Sequence, residues 1–181
     1  MQWTGLKISG LQLITPDVFY DERGFVFEGY REPLYLERGV GPFVQDNVSF
    51  SWRGTIRALH FQAAPGQAKL ISCVQGEIFD VAVDLREDSP TFMQWEGVVL
   101  DAPSHKQFYI PQGFAHGFCV LSETARVHYK MSTPYDPKTE RSIRWNDPDF
   151  NIAWPIKNPI LSPRDQTSPF FQEVRYALDH R

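Results

Sequence analysis

Only two cysteines occur in the 181 residues, Cys73 and Cys119, each alone in an apolar stretch. Neither has the spacing of a disulfide framework, a zinc site or a CxxC redox centre. Both read as buried free thiols of a protein kept in reducing surroundings. No apolar run approaches the roughly twenty residues that cross a bilayer, and the opening MQWTGLKISG lacks the apolar core of a signal peptide, so a cytoplasmic location is expected. The formal charge of -4 is spread without a block of either sign, which leaves nothing to mark a nucleic-acid or membrane surface. Helical periodicity is scarce as well. Glu32 to Arg38, closed by Gly39, is one short candidate; a second is expected after Ser168-Pro169, with Ser168 as N-cap and Pro169 as its first residue.

What the chain has in plenty is punctuation and aromatics: 14 prolines, 12 glycines and an aromatic share of 14%. Short alternating runs between turns predict an all-β sandwich or barrel, and no composition break divides residues 1–181, so one domain is expected. Leu6 to Ile14, broken at Gly10, reads as a strand; Asp21-Glu22-Arg23-Gly24 is a charged turn leading into Phe25 to Tyr30. In Ile78 to Leu85, alternation buries Phe79, Val81, Val83 and Leu85 and turns Asp80 and Asp84 outward. In Arg126 to Met131 it buries Val127, Tyr129 and Met131 and exposes Arg126, His128 and Lys130.

The stretch from Gln45 to Lys69 places Gln45, Asp46, Asn47, Arg57, His60 and Lys69 among strand-like residues. Ile56 to Phe61 and Ala68 to Val74 read as successive strands around the Pro65-Gly66 turn, which offers His60 and Lys69 a shared interior. A buried amine or imidazole costs free energy unless it has a partner or a task. Strict alternation groups Ile56, Ala58, His60 and Gln62 on one face and puts Arg57 on the other; a bulge or a strand-end pocket would reconcile Arg57 with His60. His105, His128 and His180 read as loop, outer-face and tail residues.

Pro111-x-Gly113-x-x-His116 resembles the second conserved motif of the cupins, small jelly-roll barrels also called double-stranded β-helices. Many cupins hold a metal with a His-x-His pair, but the matching stretch here is His60-Phe61-Gln62. Two histidines fall short of the usual three or four ligands, so no metal site is expected, and a metal-dependent oxygenase is the weaker reading. A pocket with a base, a cation and an acid remains. Taken singly, Tyr129 also reads as a packing residue and His60 as a hydrogen-bonded core histidine.

Longer motifs carry a closer resemblance. Phe19-x-Asp21-Glu22-Arg23-Gly24-Phe25, Phe43-Val44-Gln45-Asp46-Asn47, Arg57-x-Leu59-His60-Phe61-Gln62 and Lys69-Leu70 are similar to the dTDP-4-dehydrorhamnose 3,5-epimerase family. The likeness continues through Gly76-Glu77-x-Phe79-Asp80-Val81-Ala82-Val83-Asp84, Pro111-x-Gly113-Phe114-Ala115-His116-Gly117-Phe118, Tyr129-Lys130 and Trp145-Asn146-Asp147. It runs in order from about Leu11 to Asp165. The resemblance implies an all-β cupin jelly-roll barrel with a few short helices. It also implies a homodimer exchanging N-terminal strands, and a C-terminal segment, about 155–181, folded back over the barrel.

It implies, too, a cofactor-free isomerase acting on a nucleotide-linked 4-keto-6-deoxyhexose, dTDP-4-dehydro-6-deoxy-D-glucose above all. His60 corresponds to the general base, Asp165 to the carboxylate that orients it, Tyr129 to the proton donor on the opposite face and Lys69 to the cation at the ketone oxygen. Arg23, Glu28, Gln45, Asp46, Asn47, Arg57, His116, Glu140 and Arg164 correspond to positions that hold the sugar nucleotide, Arg23 and Glu28 serving the neighbouring subunit. The family commonly has glycine at position 58, lysine at 164 and often an aromatic at 26, where this chain has Ala58, Arg164 and Val26. Those departures leave open an enzyme that inverts one carbon or takes another nucleotide. A sugar-nucleotide-binding cupin without activity is the reading from another class.

Overall fold

The computed structural model describes residues 1–179, with side chains through Arg175; His180 lies outside the described residues. Among the described residues thirteen strands follow one another: β1 (Gln2–Gly5), β2 (Gln12–Thr15), β3 (Val18–Asp21), β4 (Gly24–Phe27), β5 (Gln45–Trp52), β6 (Ile56–Gln62), β7 (Lys69–Gln75), β8 (Glu77–Asp84), β9 (Trp95–Asp101), β10 (Gln107–Ile110), β11 (Phe114–Val120), β12 (Thr124–Met131) and β13 (Glu140–Ser142). The helices are α1 (Glu32–Leu36), α2 (Pro163–Thr167) and α3 (Phe171–Asp179). A six-stranded sheet in the order β1-β2-β10-β7-β12-β5 faces a five-stranded sheet in the order β13-β6-β11-β8-β9, and β3 and β4 form a separate hairpin. This is the jelly-roll barrel that the motifs imply.

Three apolar clusters hold it together. Between the two sheets lie Ile71, Cys73, Ile78, Ala82, Phe108, Phe114, Phe118 and Val127, all buried. The outer side of the five-stranded sheet is covered in turn, where Ile56, Ala58, Leu59, Val81, Val83 and Cys119 pack against Ile143 and Phe150 and against Phe171 and Val174 of the C-terminal segment. A third cluster gathers Ile14, Tyr35, Val40, Leu70 and Tyr109 beneath α1. Fully removing such side chains from water stabilises a fold by about 1.5–3 kcal/mol each before entropy is counted.

This double covering corrects one expectation. Asp80 and Asp84 do not point to solvent; both are buried, because β8 is covered on both faces, and a strand covered on both faces need not alternate in polarity. Asp84 is satisfied by Arg86, Ser89 and Thr91 at 2.6–2.8 Å. Two further differences concern local elements. β6 and β7 do not pair with each other: they belong to opposite sheets. The expected helix after Ser168-Pro169 is present as α3, but it begins at Phe171 and Ser168 does not cap it: Ser168 closes α2, whose own start is Ser162-Pro163, with the Ser162 hydroxyl accepting the Asp165 amide.

Both cysteines are buried and unpaired, and burial pushes each thiol up to about 11, leaving them protonated and unreactive. Among the described residues no helix is long and apolar enough to cross a membrane.

Candidate active site

The chemistry-bearing side chains meet at one end of the barrel, where β6 and β11 of one sheet look across at β7, β12 and β5 of the other. A cavity of about 220 Å³, comparable with a single sugar ring, is lined by Asn47, Arg57, His60, Gln62, Lys69, His116, Phe118, Tyr129, Tyr135 and Glu140 among others. His60 and Lys69 therefore share an interior as opposed groups on facing sheets.

A bulge in β6 makes this possible. His60 lies opposite His116 on β11 and Arg57 lies opposite Phe118, so Ala58 and Leu59 together face Gly117. The extra residue reverses the alternation: Ala58 and Leu59 both enter the outer cluster, while Arg57, His60 and Gln62 line the cavity. The expected grouping of His60 with Ile56 and Ala58 is thereby corrected. Gly117 is required here, since a Cβ on it would sit 2.3 Å from the Ala58 Cβ.

Each group has a defined partner. The Nε2 of His60 is 2.7 Å from a carboxylate oxygen of Asp165, which α2 carries in its first turn and which is almost wholly buried. A carboxylate on one imidazole nitrogen fixes the tautomer and leaves the other nitrogen for a reacting proton. His116 makes a second such pair, its Nε2 lying 2.9 and 3.0 Å from the two oxygens of Asp80. Burial draws both toward their neutral forms, lowering His116 and raising Asp80, against the attraction between them. Lys69 is brought down to about 8, chiefly by burial, with Asp80 and Glu140 acting to hold its charge.

At the mouth, the Arg57 Nε donates to the Ser51 hydroxyl at 3.0 Å. Glu140 accepts from the Tyr135 hydroxyl at 2.9 Å and from Arg164 at 2.7 Å, tying β13 to α2. The Asn47 amide reaches the Tyr129 hydroxyl at 3.5 Å. Among the described residues, no group of three or more His, Cys, Asp or Glu side chains is arranged to hold a metal ion.

Of the residues singled out from the sequence, His60, Tyr129, Lys69, Asn47, Arg57, His116 and Glu140 line the cavity, with Asp165 behind His60 and Arg164 at the rim. Gln45 stands one hydrogen bond back, on Asn47. Asp46 points to the outer face of the six-stranded sheet, where Lys130 lies 2.9 Å away and His128 3.4 Å. Arg23 is exposed at the tip of the β3–β4 hairpin and Glu28 pairs with Arg31, both away from this chain's own cavity. The reading of the sequence missed Asp80, Gln62 and Tyr135. For Asp80 the signal was present, a carboxylate inside an unbroken apolar run; for Tyr135 there was none.

A jelly-roll barrel with two carboxylate-backed imidazoles, an ammonium and a phenol around one small cavity defines a cupin-fold protein equipped for proton transfer. Residues 5–173 match the dTDP-4-dehydrorhamnose 3,5-epimerase family, and the chain belongs to that family. The dTDP-4-dehydrorhamnose 3,5-epimerase of Shigella flexneri is 47% identical over 95% of this chain and 97% of its own length. A dTDP-6-deoxy-D-glucose-3,5-epimerase from Legionella pneumophila, solved in complex with dTDP-4-keto-L-rhamnose, is 43% identical with a TM-score of 0.93, covering 98% of this chain and 96% of that one. A relative from Streptomyces niveus, 42% identical over 98% of this chain and 87% of its own length, is a dTDP-4-dehydrorhamnose 3-epimerase.

Proposed function

We propose that this chain is an isomerase that converts dTDP-4-dehydro-6-deoxy-D-glucose to dTDP-4-dehydro-L-rhamnose, inverting C3 and C5 next to the 4-ketone. The observation that carries the proposal is the His60–Asp165 pair at 2.7 Å, in a cavity that also presents Lys69 and Tyr129, within a chain of this family.

The ketone makes the chemistry accessible without a cofactor, because charge left by a departing α-proton spreads onto its oxygen. His60 takes the proton from carbon. Asp165 holds the imidazole in the tautomer that can accept it and stabilises the imidazolium that results. Lys69 faces the oxygen where negative charge grows. Tyr129 then gives its hydroxyl proton to the same carbon from the other side, which inverts it. A placed acid or base accelerates by roughly 10²–10⁴, and a preset cation at the enolate oxygen adds a few kcal/mol of transition-state stabilisation.

Arg57, His116 and Asn47 hold the diphosphate and sugar, with Gln45 supporting Asn47 from behind, and Glu140 and Arg164 hold the outer part of the nucleotide. Arginine's planar fork suits phosphate oxygens. Asp46, held by Lys130 on the outer face of the six-stranded sheet, does not reach this cavity. Arg23 and Glu28 act on the cavity of a second copy. The β3–β4 hairpin supports that arrangement: Phe19 and Val26 stand opposite each other on it, both exposed, and Val48, Phe50 and Trp52 are exposed along the edge strand β5. Apolar surface of this kind marks an interface, and a cytoplasmic homodimer is the assembly we infer.

Solvent deuterium appearing at C3 and C5 of the product, with the L-configuration read by NMR, tests the reaction. Absence of exchange at either carbon in the parent protein would overturn it. The Streptomyces niveus relative favours a second reading in which C3 alone is inverted, and deuterium at C3 only would establish that one. Tight ligand binding with no turnover, equal in the parent and in His60→Ala, is the signature of a silent binding protein.

A further inference from the structure

The geometry points to Gln45 and Asn47 as positioning residues that set the direction of the hydroxyl proton of Tyr129. The inference rests on the assignment of Tyr129 as the proton donor and goes beyond the holding of substrate.

One donor in this row has no alternative. The backbone N–H of Tyr135 can only donate, and it lies 2.8 Å from the side chain of Gln45, so the amide atom facing it is the oxygen. The nitrogen of Gln45 therefore faces the other way, toward Asn47 at 3.1 Å, and must meet an oxygen there. That leaves the Asn47 nitrogen turned to the Tyr129 hydroxyl at 3.5 Å. Every orientation in the row follows from the first. The phenol oxygen is thus an acceptor on the Asn47 side, and its one hydrogen is free for the cavity.

The contact is long for a neutral pair. Charge-assisted hydrogen bonds are shorter and stronger, so it tightens as the phenol oxygen gains charge. In that step the O–H bond of Tyr129 breaks, the new C–H bond forms on the face opposite His60, and the phenolate left behind receives the Asn47 N–H. An acceptor in place of that donor would do the reverse: it would capture the phenol hydrogen and turn it from the sugar.

Asn47→Asp makes that exchange with little change of shape, and the carboxylate still accepts from Gln45. With the donor turned away, the enolate made by His60 recovers its proton mainly from His60 itself. The substrate then picks up solvent deuterium without inverting. The expected result in D₂O is a rise of tenfold or more in deuterium found in recovered substrate per product formed. Gln45→Glu, which cannot donate to Asn47 and so lets that amide turn over, raises the same ratio. A change confined to KM, or exchange and inversion falling in parallel with the ratio unchanged in both variants, overturns the proposal. Failure of the assignment beneath it looks different, because parent protein and Tyr129→Phe would then share one ratio before either amide is altered.

Discussion

At the scale of single residues, the cavity asks for groups that a fold would otherwise avoid, and Lys69 shows this most plainly. Brought down to about 8 by burial, it is charged below that pH and neutral above it. Since the proposed role needs the charged form, kcat should fall on the alkaline side with a midpoint near pH 8. Lys69→Arg should move that limb up by more than one pH unit while lowering the plateau. The consequence for stability has the opposite sign. A buried lysine with a depressed pKa destabilises the fold where it is charged, and the penalty fades as pH rises from about 8 toward the ordinary lysine value. Lys69→Met should therefore be more stable than the parent at pH 7, by up to roughly 3 kcal/mol, and melt higher while losing activity; calorimetry beside an assay checks both. Asp165→Asn keeps the size of the side chain, and should lower kcat by about 10²–10⁴ with the melting temperature nearly unchanged. If that variant unfolds instead, Asp165 is a structural residue.

At the scale of elements, positions rest on a bulge and a cap. Gly117→Ala forces a methyl into Ala58 and should cost on the order of 1–3 kcal/mol, with a loss of kcat because His60 and Arg57 move with the bulge. Ser162→Ala removes the cap of the helix that carries Asp165 and should cost about 1 kcal/mol in denaturant titrations. Much at this scale was legible beforehand. Val127, Tyr129 and Met131 face inward as simple alternation requires, since β12 is a regular central strand. His60 and Lys69 were expected in one interior, yet as neighbours in a sheet, because chain order suggests pairing and cannot reveal that the connection crosses between sheets. Asp80 was turned the wrong way because one-sided burial was assumed for a strand that the C-terminal segment covers from outside. A five-residue helix such as α2 is too short to leave a period. The bulge leaves no local mark either, beyond the conflict between Arg57 and His60 that made one necessary.

At the scale of the whole molecule, the β3–β4 hairpin and the edge strand β5 present apolar side chains to solvent that a second copy would cover. Sedimentation should give about twice 20.9 kDa. Mixing supplies a sharper check. If Arg23 serves the neighbour's cavity, a pair made of one Arg23→Ala and one His60→Asn chain contains one intact site and one doubly damaged site. Random exchange of two nearly inactive proteins should restore roughly a quarter of the parent activity; none is restored if each cavity is built from a single chain. Within the chain, the imidazole and the carboxylate behind it are 105 residues apart. A ribosome delivers the first long before the second. The growing polypeptide can raise its walls early, but His60 has no carboxylate behind it until α2 has emerged and docked, so the barrel is built before its base is competent.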